Sequence, residues 1–312
     1  MQYVKIKGFE ISKFTLGTAQ LGLDYGIANN SGKPDRQKSF EILNAAVEGG
    51  INTFDTAMQY GDSEEVLGSF FTSGTCSLNN PVLITKFKIS AEEDRSSLEI
   101  EKQIYSYVEE SLHKLKIKQL PIYMIHNARD IFLYGKVISN TFKKLIREGL
   151  IHKAAVSVYT SEEAEEMLKY DIYDAIQIPM NILDGRFITS GVLKKLHLRD
   201  KIIFVRSVFL QGLILLKPET LEGNLKDAEA PLKMLEVLSQ VEGMSIAQLA
   251  LSYIRDMEEV TSLVMGVDSK EQVVENIQMI EGRQISEKTR DKIKTIFRDI
   301  PLHILNPSLW KK

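Results

Sequence analysis

Short apolar runs recur along this chain, and each is followed by a stretch whose apolar residues fall at helical spacing. The runs occupy residues 14–17, 53–55, 82–86, 122–126, 154–157, 175–179, 202–207 and 262–265. They are continuous rather than alternating, as expected of strands covered on both faces. The helices predicted after them span 38–48, 63–71, 98–115, 133–147, 161–169, 191–197, 245–257 and 271–280, with a C-terminal helix at 286–298. Local punctuation agrees. Gly49 and Gly50 stop the first helix, Ser63 heads the second with Glu64 and Glu65 in its first turn, and Ser245-Ile-Ala-Gln248 is a capping box. Ahead of the first run, residues 4–12 alternate apolar and polar and turn at Lys7-Gly8, which predicts a hairpin able to close the bottom of a barrel. Residues 217–230 read as a surface excursion.

Eight such units in 312 residues predict the α/β class: a (β/α)8 TIM barrel with an N-terminal β-hairpin and a C-terminal helix, residues 1–312 forming one domain. The competing doubly wound sheet lacks its signature, because no G-x-G-x-x-G follows an early strand. Gly17 and Gly22 have the wrong spacing for a phosphate loop, and no Gly-Lys-Ser/Thr follows them. Composition narrows the function classes. A 44% apolar and 26% charged chain is an ordinary globular protein, and a net charge of −3 spread along it offers no basic face for nucleic acid or a membrane surface. Cys76 is the only cysteine, so no intrachain disulfide can form, and no metal site is expected. The opening residues lack the apolar core of a leader, and Arg206, Ser207 and Gln211 interrupt the most apolar later run. A cytoplasmic protein is expected, monomeric or weakly homo-oligomeric, acting on a small molecule.

In such a barrel the chemistry lies at the C-terminal ends of the strands. In order, those ends carry Thr18, then Asp55 with Tyr60 five residues on, Lys86, His126, Ser157, Gln177, Ser207 and Gly266. Singly, each has a plain explanation: a capping Asp, a packing Tyr, a snorkelling Lys, a rim His. Brought to one mouth, Asp55, Tyr60, Lys86 and His126 have a joint chemistry. A phenol is a weak acid, but an ammonium beside it favours the phenolate, and a carboxylate keeps that ammonium charged in a desolvated pocket. A neutral imidazole can donate a hydrogen bond to a substrate oxygen. This arrangement suits protonating a carbonyl oxygen while hydride reaches carbon, and since no side chain delivers hydride, it calls for a nicotinamide.

Six stretches then resemble the aldo-keto reductase superfamily: Phe54-Asp-Thr-Ala-Met-Gln-Tyr-Gly61, Ile84-Thr-Lys86, Tyr123-Met-Ile-His-Asn127, Gln177-Ile-Pro-Met-Asn181, Ser207-Val-Phe-Leu-Gln-Gly212 and Gly266 to Asn276. They follow the family's order over nearly the whole chain. The resemblance implies a catalytic tetrad of Asp55, Tyr60, Lys86 and His126, with Tyr60 the proton donor. It implies a dinucleotide lying across the barrel mouth, with Gly17, Thr18 and Asp55 near its nicotinamide end and Ser157 and Gln177 at the carboxamide. Ser207, Phe209, Gln211 and Gly212 would cover the pyrophosphate. Gly266, Ser269, Lys270, Gln272, Glu275 and Asn276 would hold the adenosine portion.

The chain departs from the family pattern in three places. Arg206 stands where an aromatic residue often stacks on the nicotinamide, Val158 replaces an Asn after Ser157, and Gln272 replaces an Arg that often clamps a 2′-phosphate. The resemblance implies NADP(H), with NAD(H) as the alternative. Around the mouth, Asp24, Tyr25, Lys88, Asn127 and Arg129 make a polar rim. We therefore expect a small polar, sugar-like carbonyl, with Tyr25, Tyr60, Lys88, His126 and Asn127 as substrate-binding residues. Two rivals stand beside this reading: a cofactor-binding regulatory subunit of the same fold with little turnover, and an aldolase-type barrel with Lys86 as Schiff-base nucleophile.

Overall fold

In this computed structural model, residues 1–24, 32–74, 76–89 and 95–310 are described. The chain opens with the expected hairpin, β1 (Tyr3–Ile6) against β2 (Phe9–Ser12), antiparallel with Ile6 opposite Phe9. Its two-residue turn places Lys7 at φ 53° and Gly8 at φ 85°, the left-handed pair that matches strand twist in tight hairpins.

Eight parallel strands follow: β3 (Phe14–Gly17), β4 (Thr53–Asp55), β5 (Val82–Phe87), β6 (Leu120–Ile125), β7 (Ile151–Ser157), β8 (Tyr173–Pro179), β9 (Ile202–Arg206) and β10 (Ser262–Gly266). They pair in sequence order and β10 closes on β3, so the barrel is complete. Helices α1 (Ala19–Gly22), α2 (Arg36–Glu48), α3 (Ser63–Phe71), α4 (Ser97–Leu115), α5 (Arg129–Arg147), α6 (Ser161–Met167), α7 (Arg186–Thr189) and α8 (Val192–Leu198) intervene between the strands. They are followed by α9 (Glu229–Glu242), α10 (Ile246–Arg255), α11 (Lys270–Glu281), α12 (Glu287–Ile296) and α13 (Leu302–Leu305). No helix among the described residues is long and apolar enough to cross a membrane.

Several boundaries differ from the sequence-based expectation, each for a local reason. The Asp35 side chain accepts from the Lys38 backbone N–H at 2.8 Å, which starts α2 two residues early. The Ser96–Glu99 capping box begins α4. Helix α5 starts four residues before position 133, with Tyr134 kinked at φ −130° and ψ 16°. The helix expected at 191–197 is preceded by α7, which ends shortly before left-handed Gly191. Within 217–230 lie the 3-10 turns Pro218–Thr220 and Gly223–Ala228, but the next stretch forms α9, which buries Leu232, Leu235 and Leu238.

The strands' twofold alternation decides what points inward. On β5, Leu83 and Phe87 face the helices, where Phe87 stacks on Tyr123 at 4.7 Å, while Val82 and Ile84 fill the barrel. Inside, these two pack with Ile122, Met124, Ala155, Ala175, Ile202 and Phe204. Ile11, Ile6 and Phe9 of the hairpin cover this cluster from below. Each inward row therefore has a next member two residues further up its strand. Those members are Gly17, Asp55, Lys86, His126, Ser157, Gln177, Arg206 and Gly266. The apolar filling of the lower barrel fixes the register of the polar layer above it.

Candidate active site

Lys86 is fully buried at the top of β5. Its Nζ donates to Asp55 Oδ2 at 2.7 Å and to the Thr56 carbonyl at 2.9 Å, and lies 4.9 Å from the centroid of the Tyr60 ring. Burial alone would push its pKa down. The Asp55 charge, with further contributions from Tyr60, more than offsets burial, so the ammonium is held above its ordinary range. Gln177 Nε2 donates to the other carboxylate oxygen, Oδ1, at 2.8 Å. Both oxygens of Asp55 thus accept from fixed donors, as a buried carboxylate requires.

Tyr60 sits on the turn between β4 and α3. Thr56 N–H donates to the Ile84 carbonyl at 2.8 Å and Met58 N–H to that of Lys86 at 3.0 Å, so the turn continues the β5 pairing. From the other side it is pressed against α1: a Cβ at Gly22 would lie 1.8 Å from the Tyr60 carbonyl oxygen. Gly61, at φ 56°, approaches Gly22 just as closely. Gly22 thus serves a backbone-to-backbone contact that positions the phenol. Thr18 lies in the same seam, fully buried, its hydroxyl donating to the Asp55 carbonyl at 2.9 Å and accepting from Ser63 Oγ at 2.7 Å.

His126 follows β6, with its ring edge-to-face with Tyr60 at 5.7 Å. Its Nδ1 is 3.0 Å from Gln59 Oε1. Burial lowers its pKa to about 3, helped by the charges of Lys86, Arg206 and Lys88, so the imidazole is neutral near pH 7. Asn127, next along, accepts the Arg129 backbone N–H at 3.2 Å, and Lys88 is exposed beyond β5.

The opposite side of the mouth is built by β7 to β10. Ser157 and Gln177 are almost completely buried in the polar layer. The Arg206 guanidinium lies 4.4 Å over the Tyr159 ring and donates to the Val158 carbonyl at 3.2 Å and to Ser207 Oγ at 3.3 Å. Among the described residues it has no carboxylate partner. After it the backbone turns left-handed at Ser207 (φ 65°), Leu210 (48°), Gln211 (52°) and Gly212 (94°). Such turns form concave backbone sites for anions. Phe209 is half-buried there, and Gly266 on β10 leaves room that the Gln20 side chain enters.

Ser269 caps α11, with its Oγ accepting from Gln272 N–H at 3.3 Å. Gln272 Oε1 accepts from the Asp268 N–H at 2.9 Å, which ties that side chain to the loop. Asp268 Oδ1 is buried without a hydrogen-bond partner. Lys270 and Glu275 are exposed, whereas Asn276 is buried. The fold thus gathers Asp55, Tyr60, Lys86, His126 and Gln177 into one contact network. It sets the Ser207 and Gly266 loops beside that network, while Lys270 and Glu275 stand outside it. Tyr25 lies outside the described residues. Sequence reasoning missed Gln59, the Thr56 carbonyl and Tyr159. A lone glutamine or a backbone carbonyl gives no periodic signal, and only barrel closure brings Tyr159 to Arg206.

This arrangement fits a nicotinamide dinucleotide: a phenol beside a buried ammonium on one side of the mouth, a left-handed turn able to take an anion after the seventh barrel strand on the other, and an orphaned carboxylate oxygen beside the head of α11. Comparison with known proteins agrees. Residues 13–298 match the aldo/keto reductase family. The NADH-specific methylglyoxal reductase of Escherichia coli (strain K12) is 27% identical over 297 residues, covering 86% of this chain and 89% of that protein. A putative voltage-gated potassium channel subunit beta of Schizosaccharomyces pombe is 25% identical over 327 residues, covering 95% and 93%. The holo form of an aldo-keto reductase from Bacillus halodurans shares the fold, with a TM-score of 0.75 at 23% identity and coverage of 95% and 96%.

Proposed function

This chain belongs to the aldo/keto reductase family, and on that premise we propose that it interconverts a small polar aldehyde or ketone and its alcohol through Asp55, Tyr60, Lys86 and His126. The observation that carries this reading is the buried Lys86 ammonium, held 2.7 Å from Asp55 and against the Tyr60 ring. A bound dihydronicotinamide supplies the hydride. Tyr60 gives its hydroxyl proton to the carbonyl oxygen, Lys86 stabilises the phenolate left behind, and solvent returns the proton. Asp55 transfers none, because both its oxygens are taken by Lys86 and Gln177. Neutral His126 donates a hydrogen bond that orients the carbonyl. A charged, doubly bonded Lys86 is a poor Schiff-base nucleophile, which weighs against an aldolase.

In this reading Gly17 borders the nicotinamide, while Thr18, which is fully buried, supports Asp55 from behind rather than touching the ring. Ser157 and Gln177 meet the carboxamide, and Arg206 lies alongside. Ser207, Phe209, Gln211 and Gly212 take the pyrophosphate. Gly266, Ser269, Lys270, Gln272, Glu275 and Asn276 surround the adenosine. Family habit favours NADP(H), but the head of α11 weighs toward NAD(H). The partnerless Asp268 oxygen suits a ribose hydroxyl and opposes a phosphate, and Gln272 is already engaged by the loop. Lys88 and Asn127 serve a polar substrate.

The test is turnover of methylglyoxal, glyceraldehyde and 4-nitrobenzaldehyde by the purified protein, followed at the nicotinamide absorbance with NADH and with NADPH. We expect turnover of the small polar aldehydes that falls by about 10²-fold or more in Tyr60→Phe, with cofactor affinity retained and tighter for NADH. Brisk turnover of bulky apolar ketones alone would overturn the substrate class. Tight cofactor binding with no turnover would favour the regulatory-subunit reading, in keeping with the likeness to a channel beta subunit.

A further inference from the structure

The His126 imidazole is uncharged near pH 7, so it carries one N–H and one bare nitrogen, and the partner at Nδ1 decides which nitrogen faces the substrate as donor. The groups whose charges reach the ring are Lys86 on β5, Lys88 beyond it and Arg206 at the end of β9. All three are cations, which disfavour protonation but cannot choose between two neutral tautomers by hydrogen bonding. Tyr60 meets the ring edge-to-face. Gln59 is the polar side chain in hydrogen-bond contact with it, and its amide oxygen Oε1 faces Nδ1 at 3.0 Å.

We propose that Gln59 is a positioning residue that sets the tautomer of His126: with its amide turned by half from the orientation above, its N–H donates to Nδ1, so that the imidazole proton sits on Nε2 and points at the substrate oxygen. A primary amide presents a donor and an acceptor from the same position, related by a half-turn, and no other hydrogen bond among the described residues fixes the Gln59 amide. With the amide oxygen toward Nδ1, the ring would present a bare Nε2, and that lone pair would face the lone pairs of a carbonyl. The half-turn replaces this repulsion with a hydrogen bond. A carboxylate at position 59 could only accept, and would lock the wrong tautomer. The inference rests on the proposed role of His126 in carbonyl reduction.

The experiment compares wild type, Gln59→Glu and Gln59→Met. Imidazole nitrogen spectra of 15N-histidine protein, assigned by loss of the signal in His126→Asn, read the tautomer without any turnover. Wild type should show the Nε2–H form. Gln59→Glu should show Nδ1–H at high pH, with kcat/KM lowered about 10²-fold for the loss of one donor. The new carboxylate also favours the imidazolium, which carries both N–H groups. Activity of Gln59→Glu should therefore recover as pH falls through the raised His126 pKa, a limb absent from wild type and from Gln59→Met. An Nδ1–H signal in wild type, or a Gln59→Glu pH profile parallel to wild type, would overturn the proposal. If wild type turns over no carbonyl at all, the reductase reading fails, while the spectra still decide the tautomer.

Discussion

Replacing Lys86 by methionine removes a charge that has no solvent to fall back on. The residue is fully buried, and its loss strands Asp55 in a pocket where Gln177 is the remaining side-chain donor. Removing one partner of a buried pair costs about 4 kcal/mol. At ~2.1 cal/mol/K of unfolding entropy per residue, that lowers the Tm of a 312-residue chain by roughly 6 °C. Asp55→Asn should be costly too, since it leaves the ammonium with the Thr56 carbonyl and Tyr60. The double variant has no stranded charge and should recover about 2 kcal/mol relative to the sum of the single changes. Urea unfolding of all four proteins yields this coupling directly. Single effects that add within about 0.5 kcal/mol would mean that the two groups do not form a charged pair, and the argument for a charged Lys86 beneath Tyr60 would go with it.

The depressed His126 pKa has a sign that can be checked. Below about 6.5 the unfolded chain binds a proton that folded His126 refuses until about pH 3, so this residue costs stability increasingly as pH falls across that window. Denaturant unfolding at pH 7, 6 and 5 should show wild type losing more stability than His126→Asn, and a smaller loss would contradict the half-buried neutral imidazole. At the other side of the mouth, Arg206 places a cation with neutral partners where an oxidised nicotinamide would bring a second positive charge. Wild type should bind the reduced cofactor more tightly than the oxidised one, and Arg206→Gln should narrow that ratio roughly tenfold, read from dissociation constants. An unchanged ratio would remove Arg206 from the neighbourhood of the ring.

The barrel was legible because its strands are buried on both faces. Ile202–Arg206 has no polar residue below its upper end and Val82–Phe87 has only the small Thr85, so the change to Lys86 and to Arg206 marks where each strand reaches the mouth. Asp55, Lys86 and His126 were read from those ends and Tyr60 from the loop after one of them. Helix α9 was hidden by Pro231 in its first turn and by a face of Lys, Glu and Gln that reads as loop. The partners that tune the site were hidden for another reason. Gln177 meets Asp55 across 122 positions of sequence and Gln59 meets His126 across 67. Contacts of that span are decided by closure of the sheet and leave no local pattern. Gly22 shows the same limit: its spacing excludes a phosphate loop, but the contact with the Tyr60 turn exists only once α1 is folded back.

The hairpin beneath the barrel has a consequence for traffic. Ile6, Phe9 and Ile11 pack against the lower interior cluster, and Lys7 reaches Asp174 and Asp200 on the floor. The strands are filled with side chains from that floor up to the polar layer, so reactants enter and leave from above. A long dinucleotide and a short carbonyl that share one entrance cannot exchange independently if the carbonyl rests over the nicotinamide. The first in is the last out. Steady-state patterns should then show compulsory order, with the oxidised dinucleotide a competitive inhibitor against its reduced form alone.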